Sequence, residues 1–174
     1  IARNRPYTFV PDRCPFEIPE GARVDCGFAV LPERRDDASG DVVRLAVSTY
    51  RSYANDPAPP LIYLSGGPGA PAVEGMIEGY DGFIAPLLEE RDVIIFDQRG
   101  TGLSEPALTC PEYISALRTE LKKQLSKEEI NALYADAFAR CSERLTRRGV
   151  DLAAYTSAAN ATDVKELVEL LGYD

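Results

Sequence analysis

The chain has 174 residues with four cysteines, no histidine and a formal net charge of −9. So acidic a surface suits neither nucleic acid nor an anionic membrane, since both need basic patches, and no apolar run approaches the roughly 20 residues of a membrane span. The length allows a real hydrophobic core, and the 45% hydrophobic content is that of an ordinary globular protein.

Residues 1–22 are rich in Pro and Arg without periodicity and read as an extended leader pinned by Cys14. Val24 to Leu31 predicts a first strand. After the turn at Arg35-Asp-Asp-Ala-Ser-Gly40, Val43, Leu45, Val47 and Thr49 alternate with Arg44, Ala46, Ser48 and Tyr50, which predicts a hairpin partner with one face covered. Asn55-Asp-Pro-Ala-Pro-Pro60 then delivers the chain to Leu61-Ile-Tyr-Leu64. Four apolar residues in a row predict a strand buried on both faces, as in the middle of a parallel sheet.

That run ends in Ser65-Gly-Gly-Pro-Gly69. Gly66, Gly67 and Gly69 permit positive φ and a close approach to main-chain N–H groups, while Pro68 stiffens the turn. A glycine turn at the carboxyl end of a buried strand is where open α/β sheets hold ligands. Phe83, Ile84, Leu87 and Leu88 predict a short covering helix, its limits blurred by Pro86. Asp92-Val-Ile-Ile-Phe96 predicts another buried strand, running into Asp97-Gln-Arg-Gly-Thr-Gly-Leu-Ser104.

A helical segment is expected over 105–150. Its first helix starts near Pro111 with Ile114, Leu117 and Leu121 along one face. The second is opened by the capping box Ser126-Lys-Glu-Glu129 and carries Ile130, Leu133, Tyr134, Ala137, Phe138 and Cys141 inward. Arg144, Arg147 and Arg148 read as solvated surface. The last helix is expected to be capped by Asn160 with Asp163 in its first turn, striped by Val164, Leu167, Val168 and Leu171, and ended by Gly172.

Cys14, Cys26, Cys110 and Cys141 fit no zinc spacing, and there is no histidine to complete a mixed site. Disulfides are the favoured reading. Cys14 and Cys26 flank a short loop and Cys110 and Cys141 a helical segment, so sequential pairing is the simplest of the possible connectivities. Such bridges contribute about 3 kcal/mol each in the chain-entropy model. Four buried free thiols in a cytosolic protein are the alternative.

Together, Ser65-Gly-Gly-Pro-Gly69 and Asp97-Gln-Arg-Gly-Thr-Gly-Leu-Ser104 resemble the proline iminopeptidase and tripeptidyl aminopeptidase branch of the α/β-hydrolases. In that branch the first loop usually reads His-Gly-Gly-Pro-Gly, and Ser65 is a departure that leaves the glycines intact. The resemblance implies an α/β fold, with this chain as the front half of the sheet: an antiparallel opening hairpin, then parallel strands, and an inserted helical segment. It implies that the Gly67 N–H is one oxyanion donor, with Gly66 shaping the turn or sharing the role, and that Pro68, Gly69, Asp97, Arg99 and Gly100 support the loop. Relatives with cysteines at similar places are largely secreted bacterial enzymes, which implies an extracytoplasmic location. Neither metal nor organic cofactor is implied.

The sequence contains no G-x-S-x-G elbow and no histidine. Ser65 and Ser104 therefore lack a base, and neither is expected to be a triad serine. In the resembled enzymes a helix ending Leu-Gly-Tyr-Asp leads to the strand that carries the elbow, so the serine, acid and histidine are expected beyond Asp174, in the remainder of the same polypeptide. The expected substrate is a peptide with a free N-terminus. An esterase or small-amide hydrolase of the same fold, or a non-catalytic binding module, are the alternatives. Nucleotide binding fails on the residues. Gly67-Pro-Gly69-Ala-Pro-Ala72 formally fits G-x-G-x-x-A, but Glu89 and Glu90 precede the next strand and Asp97 ends it too late for the ribose acid.

Overall fold

The computed structural model describes residues 7–36, 40–67 and 69–173. The first six residues of the expected leader, three turn residues at 37–39, Pro68 and Asp174 lie outside the described residues. The chain divides into two compact units, residues 1–107 with 155–174, and residues 108–154.

The first unit is built on a five-stranded mixed sheet. Its strands are β1 (Thr8–Asp12), β2 (Val24–Pro32), β3 (Val42–Tyr50), β4 (Ala58–Tyr63) and β5 (Arg91–Phe96), in the spatial order β1-β2-β3-β5-β4. The predicted β2–β3 hairpin is present, with Val24 opposite Tyr50 and Pro32 opposite Val42. β1 lies within the expected leader and pairs antiparallel with β2. β3 is antiparallel to β5, and β4 is parallel to β5. The turns after β4 and β5 therefore leave the sheet at the same end.

Alternation along the strands sends side chains into two cores. On one face Ala46, Tyr50, Val93 and Ile95 meet Ala72, Val73, Tyr80, Ile84 and Leu88. On the other Ala29, Leu31, Val43, Leu45, Val47, Ile94 and Phe96 meet Leu167 of α3 (Ser157–Leu170). The segment expected as one short helix is instead three single turns, 3-10 over Ile77–Gly79, π over Tyr80–Ile84 and 3-10 over Ala85–Glu89. Pro86 cannot donate to an α-helical ladder, which accounts for the break. Ile84 and Leu88 are fully buried all the same.

Two expectations are corrected here. Leu61 to Leu64 are not covered on both faces. β4 is the outermost strand, Leu61, Ile62 and Tyr63 are half-buried, and Leu64 is 54% exposed. An apolar run records the surroundings a strand needs, and among the described residues no strand lies on its outer side. The cap of α3 is Thr156 rather than Asn160, with the Thr156 hydroxyl accepting from Ala159 N at 3.1 Å. Ser157, Ala158 and Ala159 extend the helix one turn earlier, which puts Asn160 inside it. At the other end Gly172 adopts φ +83, letting Gly172 N reach Glu169 O and Tyr173 N reach Val168 O, the paired bonds of a Schellman motif.

The second unit is a helical hairpin of α1 (Pro111–Glu120) and α2 (Lys127–Arg147). The Ser126–Glu129 capping box is present in both directions, at 2.8 and 3.2 Å. Ala116, Ala137, Cys141 and Leu145 are buried, and the Tyr113 ring lies 5.4 Å from those of both Tyr134 and Phe138. Ile114, Leu121 and Phe138 are exposed, contrary to the expected inward stripes. The contact face of α1 runs through Tyr113 and Ala116 instead, because Tyr113 spans the gap to α2. Arg144 is no bare surface cation either: it donates to Glu112 at 2.6 and 3.1 Å and to Thr109 O at 2.7 Å. The disulfides pair Cys14 with Cys26 in the first unit and Cys110 with Cys141 in the second, the sequential connectivity.

Candidate active site

Two turns make the site: Ser65–Gly69 after β4, and Asp97–Ser104 after β5. Gly67 and Gly69 adopt φ of +130 and +91. Only glycine takes such values without strain. Gly66 keeps negative φ, contrary to expectation. Gly66, Gly67 and Gly69 are exposed. Among the described residues nothing accepts from the N–H groups of Gly66 or Gly67, while Gly66 O takes a long bond from Ala70 N at 3.4 Å. Pro68 lies outside the described residues.

What holds this turn is Asp97, which is fully buried. One carboxylate oxygen accepts from Ala72 N at 2.5 Å and Val73 N at 3.1 Å, just downstream of the glycines. The other accepts from Leu103 N at 2.8 Å, within its own turn. Buried carboxylates demand such donors. Among the described residues no cation pairs with it. Gly102 makes room for it: a Cβ there would stand 2.1 Å from Asp97 Oδ2, and its φ is +50. Gly100, at φ +82, lets the same turn reverse. Gln98 adds a second tie, its Nε2 donating to Ser65 O at 3.0 Å. Ser104 is committed to structure, donating to Asp97 O at 2.6 Å and accepting from Ala46 N at 3.0 Å.

Arg99 points the other way, into an ionic cluster. It is 4% exposed, donates to both oxygens of Asp163 at 2.6 and 2.7 Å and to Glu33 O at 2.8 Å, and lies over the Tyr155 ring. Arg35 also donates to Asp163, at 2.5 Å, and to Glu166 at 2.7 Å. Burial pulls the Arg35 pKa down, but the hydrogen bonds it donates to Glu166 and Asp163 outweigh it and leave it raised. The cluster fixes α3 to the turns after β2 and β5. Sequence reasoning gave Asp163 a place in the helix's first turn and missed Arg35 and Glu166. An acid spaced three residues from another on an otherwise apolar helix face was the available signal.

Among the described residues the only group of metal-ligating types close enough to share an ion is Cys110, Glu112 and Cys141. Its two sulfurs are joined in a disulfide. No helix among the described residues is long and apolar enough to cross a membrane. Beside the turns, a cavity of about 230 Å3 is lined by Leu64, Gln98, Ser157, Asn160, Ala161 and Val164. Asn160 Oδ1 is buried, with no hydrogen-bond partner among the described residues.

Comparison with known proteins places this geometry. A family model described as alpha/beta hydrolase fold matches residues 59–174, which include both turns. The Escherichia coli (strain K12) protein named "Putative hydrolase YuaR" is 33% identical over 115 residues, covering 62% of this chain and 23% of its own length. Serine protease Hip1 of Mycobacterium tuberculosis (strain ATCC 25618 / H37Rv) is 27% identical over 161 residues, covering 91% of this chain and 30% of its own length. Hip1 of Mycobacterium bovis matches to the same extent. The chain thus spans between about a quarter and a third of the length of these relatives.

Proposed function

The chain belongs to the alpha/beta hydrolase fold family, and from that premise we propose that it is the oxyanion-binding front part of a serine exopeptidase that releases residues or short peptides from free N-termini. The observation that carries the proposal is the glycine turn after β4, exposed, with the Gly66 and Gly67 N–H groups unpartnered among the described residues, and tied down by Asp97 and Gln98 from the neighbouring strand. Attack of a serine hydroxyl on a carbonyl moves an electron pair onto the carbonyl oxygen. Fixed N–H donors stabilise that charge, and losing one costs on the order of 3 kcal/mol of barrier. Gly67 N–H takes this role, with Gly66 shaping or sharing it.

The nucleophile, acid and base are supplied by the remainder of the polypeptide. Ser104 is held by main-chain groups and the sequence has no histidine, so the chain by itself is expected to be inactive. The open outer edge of β4, exposed Leu64 and the adjoining cavity offer a place for that remainder. Similarity to a serine protease favours peptide over ester substrates, and the two disulfides favour an extracytoplasmic location.

Denaturing mass spectrometry of the native protein, with and without a serine-directed fluorophosphonate, tests the proposal. A longer chain or a companion polypeptide that carries the label is expected. A 174-residue chain found alone and unlabelled would overturn it in favour of a binding module.

A further inference from the structure

The other end of the sheet carries a second concavity, away from both glycine turns. A cavity of about 670 Å3 opens where β1 ends and β2 begins, well within the roughly 300–1,000 Å3 of small-molecule sites. Its apolar lining comes from separate segments: Phe9 of β1, Phe16 and Ile18 of the loop closed by the Cys14–Cys26 bridge, and Leu170 and Leu171 at the end of α3.

Arg13 and Arg51 are among the residues that line the same space. Arg51 is held in a fixed pose, Nε donating to Asp25 at 2.7 Å and Nη1 to Asp92 at 3.0 Å and to Tyr173 Oη at 2.8 Å. Among the described residues its Nη2 has no acceptor. Arg13 is exposed, and its side chain makes no ion pair or hydrogen bond among the described residues. The lining also contains Asp12 and Asp25. Asp12 accepts from Arg13 N, and Asp25 is taken by Arg51.

We propose that this cavity binds a small amphipathic carboxylate, its hydrocarbon tail against Phe9, Phe16, Ile18 and Leu171 and its head between the free donors of Arg51 and Arg13. The chemistry selects this class. Apolar walls reward a tail, and a pre-oriented guanidinium edge suits a planar carboxylate. A dianionic phosphate would meet more repulsion, because Asp12, Asp25 and Asp92 outnumber the two arginines, and a single carboxylate charge is the most this setting tolerates. The proposal stands independently of the hydrolase reading, because the site lies at the end of the sheet opposite the glycine turns.

Titration calorimetry of the protein with decanoate, decanol and acetate tests it. Decanoate is expected to bind about tenfold more tightly than decanol, the worth of one charge-assisted hydrogen bond, and acetate not measurably. Arg13→Gln, at an exposed position, should weaken decanoate toward the level of decanol and leave decanol unchanged. Ile18→Asn, also exposed, should weaken both alike. Equal binding of decanoate and decanol, binding of neither, or indifference to Arg13→Gln would each overturn the assignment. Fluorophosphonate labelling of the protein should be the same in both variants, which separates failure here from failure of the hydrolase reading.

Discussion

Asp97 is the residue on which the candidate site depends. Its carboxylate joins two turns through the main-chain N–H groups of Ala72, Val73 and Leu103. Asp97→Asn keeps the shape but turns one oxygen into a donor facing a donor. We expect a loss of about 3 kcal/mol, read as a lower urea midpoint with an unchanged m-value, and an unaltered midpoint would refute the anchoring role. Sequence alone showed where the turns lie but not which residue locks them. The Asp97-Gln-Arg-Gly-Thr-Gly-Leu-Ser104 motif gave Asp97 and Arg99 one supporting role. The structure separates them, Asp97 toward the glycine turn and Arg99 toward α3. Their neighbouring positions in sequence hide that they point in different directions. The pairing of Asp163 with Arg35, 128 residues apart, had no local signature.

At the level of elements, strands were the most legible in position, from the alternation in β3 and the apolar runs in β4 and β5, but their cover was not: β3 is buried on both faces from Leu45 to Tyr50, and β4 is only half-buried. Helix faces were less so. Ile114 and Leu121 keep helical spacing yet are exposed, since a face is chosen by its partner and Tyr113 draws α1 onto α2 elsewhere. That hairpin is clamped twice, by Cys110–Cys141 and by Arg144 on Glu112. The hydrogen bond from Arg144 holds the Glu112 pKa down at about 2, from an ordinary 4.5. The ionised form is thus favoured in the folded hairpin. Its contribution is complete above about pH 4.5 and disappears as pH falls through about 2. Amide protection in α1, taken relative to intrinsic exchange, should therefore fall as pH drops across that window, and Glu112→Gln should make the protection flat there. A wild-type profile as flat as the variant's would show that the disulfide alone holds α1.

For the molecule as a whole, the consequential feature is the outer edge of β4, which pairs with no further strand among the described residues. Half-buried Leu61, Ile62 and Tyr63 and exposed Leu64 put apolar side chains along that edge, the combination that recruits another strand. The protein lacking any companion segment should therefore self-associate with rising concentration. Leu64→Lys should suppress this by placing a charge at the edge. Sedimentation velocity of the two reads it, and a wild-type chain that stays monomeric throughout would refute it. The apolar run at Leu61–Leu64 was legible as a strand, but its neighbour was not, because the pairing partner of an edge is not encoded within the edge.

Asp97 also determines how the joint between the turns responds to its medium. Exposed pairs such as Arg140 with Asp136 are screened by dissolved ions. The Asp97 joint is sealed from water and made of amide dipoles rather than a counter-cation. Added electrolyte has nothing there to shield, so the glycine turn keeps its shape in dilute buffer and in brine alike.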